Sequence, residues 1–244
     1  MDKFIHSQEH SVIVDDDTNT NDDKNYEEET QNLSNALKNL LEKFSSTTNT
    51  GSYDEHLKEC IRNWFSQHRE FTESQIIAHL ENIAHKNCDY ASLLGFVYDK
   101  SLGTIYDPQK AFKWYLQAAK QNDAFGQNQV GYFYQLGIVT EIDHKKAFYW
   151  YQKSAENGCS NAKSNLGYCY ESGVYVKRND RYTLYWYSKS AEMGDELGKC
   201  NLAYLFFCGI GANADVHRAL KLYLEAKNMG CSKAEDYICS IFLW

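Results

Sequence analysis

The sequence predicts an all-α fold, a right-handed α-solenoid of antiparallel helix pairs, and three observations predict it. A shift of 36 residues superposes four consecutive segments without an insertion. Within each segment the apolar residues follow a helical period in two runs, separated by a turn and a capping residue. The 244 residues include one proline and are 43% hydrophobic and 15% aromatic, which fits a folded helical domain and excludes collagen and low-complexity chains.

Residues 1–31 read as an acidic disordered tail, with ten Asp/Glu against two lysines, so the formal charge of −8 resides there and residues 32–244 balance 23 acids with 23 bases. Residues 32–53 read as an amphipathic helix and linker. Leu33, Leu37, Leu40, Leu41 and Phe44 form one stripe, and residues 45–52, SSTTNTGS, form a flexible connection. Residues 54–87 read as a degenerate capping repeat. Leu57, Ile61, Trp64 and Phe65 mark its first helix, and Ile76, Ile77, Leu80 and Ile83 its second.

The four repeats span approximately residues 88–123, 124–159, 160–195 and 196–231. In each first helix a small residue recurs at one phase: Gly95, Gly131, Gly167 and Ala203. Glycine inside a helix costs about 1 kcal/mol relative to alanine, so its recurrence implies close approach of a neighbouring helix. Tyr98, Tyr134, Tyr170 and Phe206 follow, and Gly137, Gly173 and Gly209 supply the helix-ending turn, with Ser101 in the first copy. The second helix opens on a cap, Asp107, Asp143, Asn179 or Asp215, and Pro108 takes the first helical position after Asp107. Trp114, Trp150 and Trp186, each followed by tyrosine, and the alanines around them read as its buried side. Asn122, Gly158, Gly194 and Gly230 end it.

These residues carry the pattern Leu-Gly-x-x-Tyr-x-x-Gly, then Asp-x-x-Lys-Ala-x-x-Trp-Tyr-x-Lys-Ala-Ala-x-x-Gly, best matched over residues 134–158. The pattern resembles the Sel-one-like repeat family, a branch of the helical-repeat proteins related to tetratricopeptide repeats. The departures are Ser101 for the turn glycine, Thr183 for an alanine and Leu222 for the tryptophan. The aromatic-rich style is also similar to fungal families in which such repeats follow a protein kinase domain. Some secreted bacterial relatives carry disulfide-linked repeats and bind penicillin-type ligands. The cysteines here do not recur through all four repeats, so that analogy fails.

Residues 231–244 read as a C-terminal capping helix with Ala234, Tyr237, Ile238, Ile241 and Phe242 on its stripe; left uncovered, the same edge would serve as a homodimer contact.

Several function classes are excluded. A net-neutral body lacks the basic field for nucleic acid or anionic membranes, and no apolar run is long enough to span a bilayer. The only apolar stretch near the amino terminus is residues 12–14, too short for a signal core. The eight cysteines form no C-x-x-C pair, and Cys200 to Cys208 and Cys231 to Cys239 would lie roughly 12 Å apart on a helix. Reduced, packed thiols in a cytoplasmic protein are therefore expected. No phosphate loop, H-E-x-x-H or Gly-x-Ser-x-Gly motif occurs, and His68-Arg69-Glu70 lacks the rest of a kinase catalytic loop. No catalytic residue, metal site or cofactor is expected.

The expected activity is binding of a protein or peptide partner. Phe96, Tyr132, Tyr168 and Tyr204 recur just after the packing glycine, beside Asn128 and Ser164, and then Asp99, Gln135, Glu171 and Phe207. Such an aromatic ladder flanked by amides and hydroxyls suits a partner segment on the concave wall that first helices build. The leading expectation is a non-catalytic scaffold or adaptor in signalling. A regulatory module or paralogue of a kinase-linked repeat protein is the alternative, and a hydrolase a remote one.

Overall fold

The computed structural model describes residues 19–49 and 55–242, and their side chains over 27–48 and 55–239. Among the described residues there are twelve helices and no strand. The chain divides after Lys38 into two compact units. The first carries the opening of helix α1 (Asn19–Asn49), where Leu33 and Leu37 are buried. The second holds the rest of α1 and all remaining helices, an α-solenoid in which sequence neighbours pack as antiparallel pairs.

Helix α1 departs from the expected tail and linker. Residues 19–31, expected to be disordered, are helical, and residues 1–18 lie outside the described residues. Carboxylates near a helix N-terminus favour the macrodipole, so this acidic composition continues the helix set by the leucine stripe. Residues 45–49, expected in the linker, are helical too. Ser46 and Thr47 each donate a side-chain hydrogen bond to the Lys43 carbonyl at 2.9 Å, and Thr48 donates to that of Ser45 at 3.1 Å. Hydroxyls that read as loop formers thus bond back to the preceding turn. Residues 50–52 lie outside the described residues.

Helices α2 (Glu55–Gln67) and α3 (Glu73–Ala84) precede the repeats, with Thr72 and Gln75 making a capping box on α3, which packs on the first repeat. The repeats follow as α4 (Cys88–Asp99) with α5 (Pro108–Lys120), α6 (Ala124–Leu136) with α7 (His144–Glu156), α8 (Ser160–Ser172) with α9 (Asp180–Glu192), and α10 (Glu196–Cys208) with α11 (Val216–Asn228). Helix α12 (Ser232–Phe242) packs on α11 through buried Ala234 and half-buried Ile238. The capping side chains Asp107, Asp143, Asn179 and Asp215 each accept a backbone N–H bond from the first turn of the second helix. Ser101 takes a left-handed φ of 56° at the phase where Gly137, Gly173 and Gly209 sit near 70°, so the turn survives the substitution.

The glycine phase packs on the tyrosine of the Trp-Tyr pair. A methyl group added at Gly95, Gly131 or Gly167 would lie 2.6, 2.8 or 2.5 Å from Cδ1 of Tyr115, Tyr151 or Tyr187. Those three tyrosines and Tyr223 are at most 1% exposed. Trp114 is buried, whereas Trp150 and Trp186 are only half-buried, edge-on to exposed Tyr149 and Tyr185. The core ring is therefore the tyrosine, because it points at the missing Cβ.

Buried polar bonds tie the two helices of a repeat together and join one repeat to the next. Ser154 and Ser190 on second helices donate to the carbonyls of Ala124 and Ser160, at 2.6 and 2.9 Å. Asp123 and Asp195 cap α6 and α10 from buried positions, accepting bonds from Gly126 N and Ser92 Oγ, and from Gly198 N, while the one Ser190 proton is shared between the Ser160 carbonyl and the Asp195 carboxyl. Burial raises both carboxyl pKa values, with these hydrogen bonds in partial opposition.

Two expectations follow. Gly131→Ala lowers stability by about 1–3 kcal/mol in urea unfolding despite its higher helix propensity, because the methyl overpacks Tyr151; Tyr151→Ala costs more than Trp150→Ala. Asp195 binds its proton more tightly in the folded chain, so its stabilising share is fullest at low pH and is lost as pH rises through its raised folded pKa. The stability of Asp195→Asn relative to wild type therefore increases with pH above the ordinary aspartate range; a difference independent of pH contradicts this.

Candidate functional site

The first helices of the four repeats share one face. Helix α4 packs on α6 and α8 on α10, and a cavity of about 250 Å³ opens along that face, lined by residues of all four. Among its walls are Phe96, Asn128, Tyr132, Asn161, Ser164 and Leu197.

The aromatic ladder lies here, and its four rungs differ. Phe96, expected to contact a partner, is instead 1% exposed, because Phe44 of α1 sits edge-on against it at 5.9 Å and against Phe125 at 5.2 Å. Tyr204 is half-covered by Tyr237 of α12, with ring centres 5.8 Å apart. Tyr132 and Tyr168, between these ends, are 43% and 48% exposed. Both ends of the ladder are thus closed by the chain's own elements, and the two central tyrosines face solvent.

The flanking residues take unexpected roles. Asn128 is buried and accepts a bond from Asn165 Nδ2 at 2.9 Å, joining α6 to α8, and Ser164 is likewise buried. Gln135 and Glu171, expected to contact a partner, accept the hydroxyl bonds of core Tyr151 and Tyr187, at 2.5 and 2.7 Å. Asp99 pairs with Lys100 at 2.9 Å. Phe207, at the same phase, offers no acceptor and packs into the last repeat's core; the buried Tyr223 hydroxyl finds no partner among the described residues. Burial, reinforced by the Glu171 charge, pushes the Tyr187 phenol far above its ordinary pKa, so it stays a donor.

Tyr98 and Tyr134 hold a lysine over their rings, Lys110 at 4.8 Å and Lys146 at 5.1 Å, and Phe206 holds Arg218 at 4.0 Å. In the third repeat Tyr170 stacks on Tyr182 at 5.0 Å instead. This phase, three residues after each cap, is the lysine of the Asp-x-x-Lys pattern, with Tyr182 and Arg218 in the last two copies. A second group of exposed rings, Tyr149, Tyr182 and Tyr185, lies on second helices, a layer to which the sequence pattern assigns only buried rings. Among the described residues no cluster of His, Cys, Asp and Glu forms a metal site, and no helix is long and apolar enough to cross a membrane.

Comparison with known proteins follows the same geometry. A family model described as Sel1 repeat matches residues 89–123, 124–159, 160–195 and 197–231. No curated protein matches. Among solved structures, the chain is similar to a Sel1 repeat protein from Oxalobacter formigenes, with a TM-score of 0.63 and 28% identity over 75% of this chain and 72% of that one. It is also similar to c5321, a protective antigen of uropathogenic Escherichia coli strains with an SLR fold, with a TM-score of 0.62 and 29% identity. That match covers 77% of this chain and 41% of the antigen. The immunity protein Pa5087 from Pseudomonas aeruginosa, 17% identical with a TM-score of 0.50 over 74% of this chain and 69% of that one, shares the fold. With four family repeats laid end to end over most of its length, the chain belongs to the Sel1 repeat family.

Proposed function

We propose that this chain is a non-catalytic adaptor of the cytoplasm that binds a partner protein on the concave wall formed by its first helices. One observation carries the reading: Tyr132 and Tyr168 stand 43% and 48% exposed at one phase of successive first helices, and Tyr132 lines a cavity edged by amides. Rings repeated at one phase form a row rather than scattered exposures, and tyrosine offers wide contact area at low entropy cost. The Asn161 and Asn165 amides beside them supply hydrogen-bonding groups for orientation. Membership of a helical-repeat family points the same way, since stacked pairs create extended surfaces and carry no chemistry of their own. Cys159, Cys200 and Cys231 are buried as small apolar groups, which suits a reducing compartment.

Affinity capture with full-length wild type and with Tyr132→Ala/Tyr168→Ala tests the reading. The exposed rings predict a stability change within about 0.5 kcal/mol per site but loss of captured partners, at more than about 1 kcal/mol of binding per ring. Identical partners at undiminished yield from the folded variant overturn it.

A further inference from the structure

Helix α1 shows what this face accepts. Residues 39–49 belong to the same compact unit as the repeats, and their Leu40 and Phe44 are buried. Phe44 enters edge-on against one ring from α4 and one from α6, Phe96 and Phe125, in the favoured aromatic geometry. Advancing by one repeat length replaces that pair by Tyr132 and Asn161, and by two, by Tyr168 and Leu197. All four are cavity walls or exposed rings on the continuation of the face, and Leu197 is itself 40% exposed. The slot that α1 fills is thus the first of a series, and the next two stand open.

The spacing of the series specifies the occupant. Packed helices lie about 8–10 Å apart, so successive slots are separated by about that distance. A helix crossing them rises about 10.5 Å over seven residues, so side chains at i and i+7 reach neighbouring slots. Resting on the adaptor reading above, we propose that the partner docks as an amphipathic α-helix, in the manner of α1, with apolar anchors at i and i+7. One anchor lies on Tyr132 and the other between Tyr168 and Leu197, and its flanking polar side chains meet Asn161 and Asn165. Residues 39–49 are then a tethered helix of the same class, holding the Phe96–Phe125 slot against competitors.

The probe is a fluorescein-labelled peptide of residues 32–49, which carries Leu33/Leu40 and Leu37/Phe44 at the required spacing. Fluorescence anisotropy is read against the full-length chain, with circular dichroism to confirm folding. Wild type is expected to bind the peptide, Tyr132→Ala/Tyr168→Ala at least tenfold more weakly, and Phe44→Ala, whose own slot is vacated, roughly tenfold more tightly. A peptide carrying Leu41→Pro, unable to form the helix, is expected to lose binding. If Phe44→Ala fails to fold, the tyrosine and proline arms decide alone. Equal binding of the proline peptide, or binding indifferent to the tyrosines, overturns the inference. Where proteins captured from extract still depend on Tyr132 and Tyr168 while the helical peptide does not bind, the helix inference falls and the adaptor reading stands.

Discussion

The contact between a first-helix glycine and the second-helix tyrosine sets the geometry of every repeat. With no Cβ at Gly95, Gly131 or Gly167, the ring of Tyr115, Tyr151 or Tyr187 lies directly on the helix backbone. That approach lets the two helices of a pair close together, and it also aims the phenol hydroxyl back at the first helix, where Gln135 and Glu171 receive it. A residue three positions after the aromatic ladder, on the next turn, is thereby fixed too. The ladder's phase is a consequence of the glycine's: Phe96, Tyr132, Tyr168 and Tyr204 each follow the packing position directly and turn away from the ring it receives.

The architecture was legible because a repeat writes the same physics several times. Caps at Asp107, Asp143, Asn179 and Asp215, the turn glycines and the small packing residue each follow from local backbone demands, and all were readable one residue at a time. The choice of core ring was not. Adjacent tryptophan and tyrosine differ by one position on a helix, and only the direction of the neighbour decides which is enclosed. Size favoured Trp150; the missing Cβ of Gly131 favours Tyr151. Gln135 and Glu171 were misread for a related reason, since a polar side chain beside a groove looks the same in sequence whether it meets a partner or a buried hydroxyl.

The covering of the ladder's ends lay further from the sequence. Phe96 sits at the same phase as Tyr132 and Tyr168, and nothing local distinguishes them; its burial depends on Phe44, 52 positions earlier in the chain. The Ser/Thr run after Phe44 concealed this, since it reads as a linker until its hydroxyls are seen bonding back to the preceding turn. Tyr204 and Tyr237 repeat the arrangement at the other end.

Exposed rings on the two helix layers pose competing surfaces, Tyr132 and Tyr168 on first helices against Tyr149 and Tyr185 on second helices. The central claim is that the first-helix layer is the one that binds. Site-specific photo-crosslinking separates them: a benzophenone side chain placed singly at positions 132, 168, 149 and 185 of the full-length chain, activated in living cells. The account predicts discrete adducts from positions 132 and 168 and none from 149 and 185. Adducts from the second-helix positions alone would contradict it.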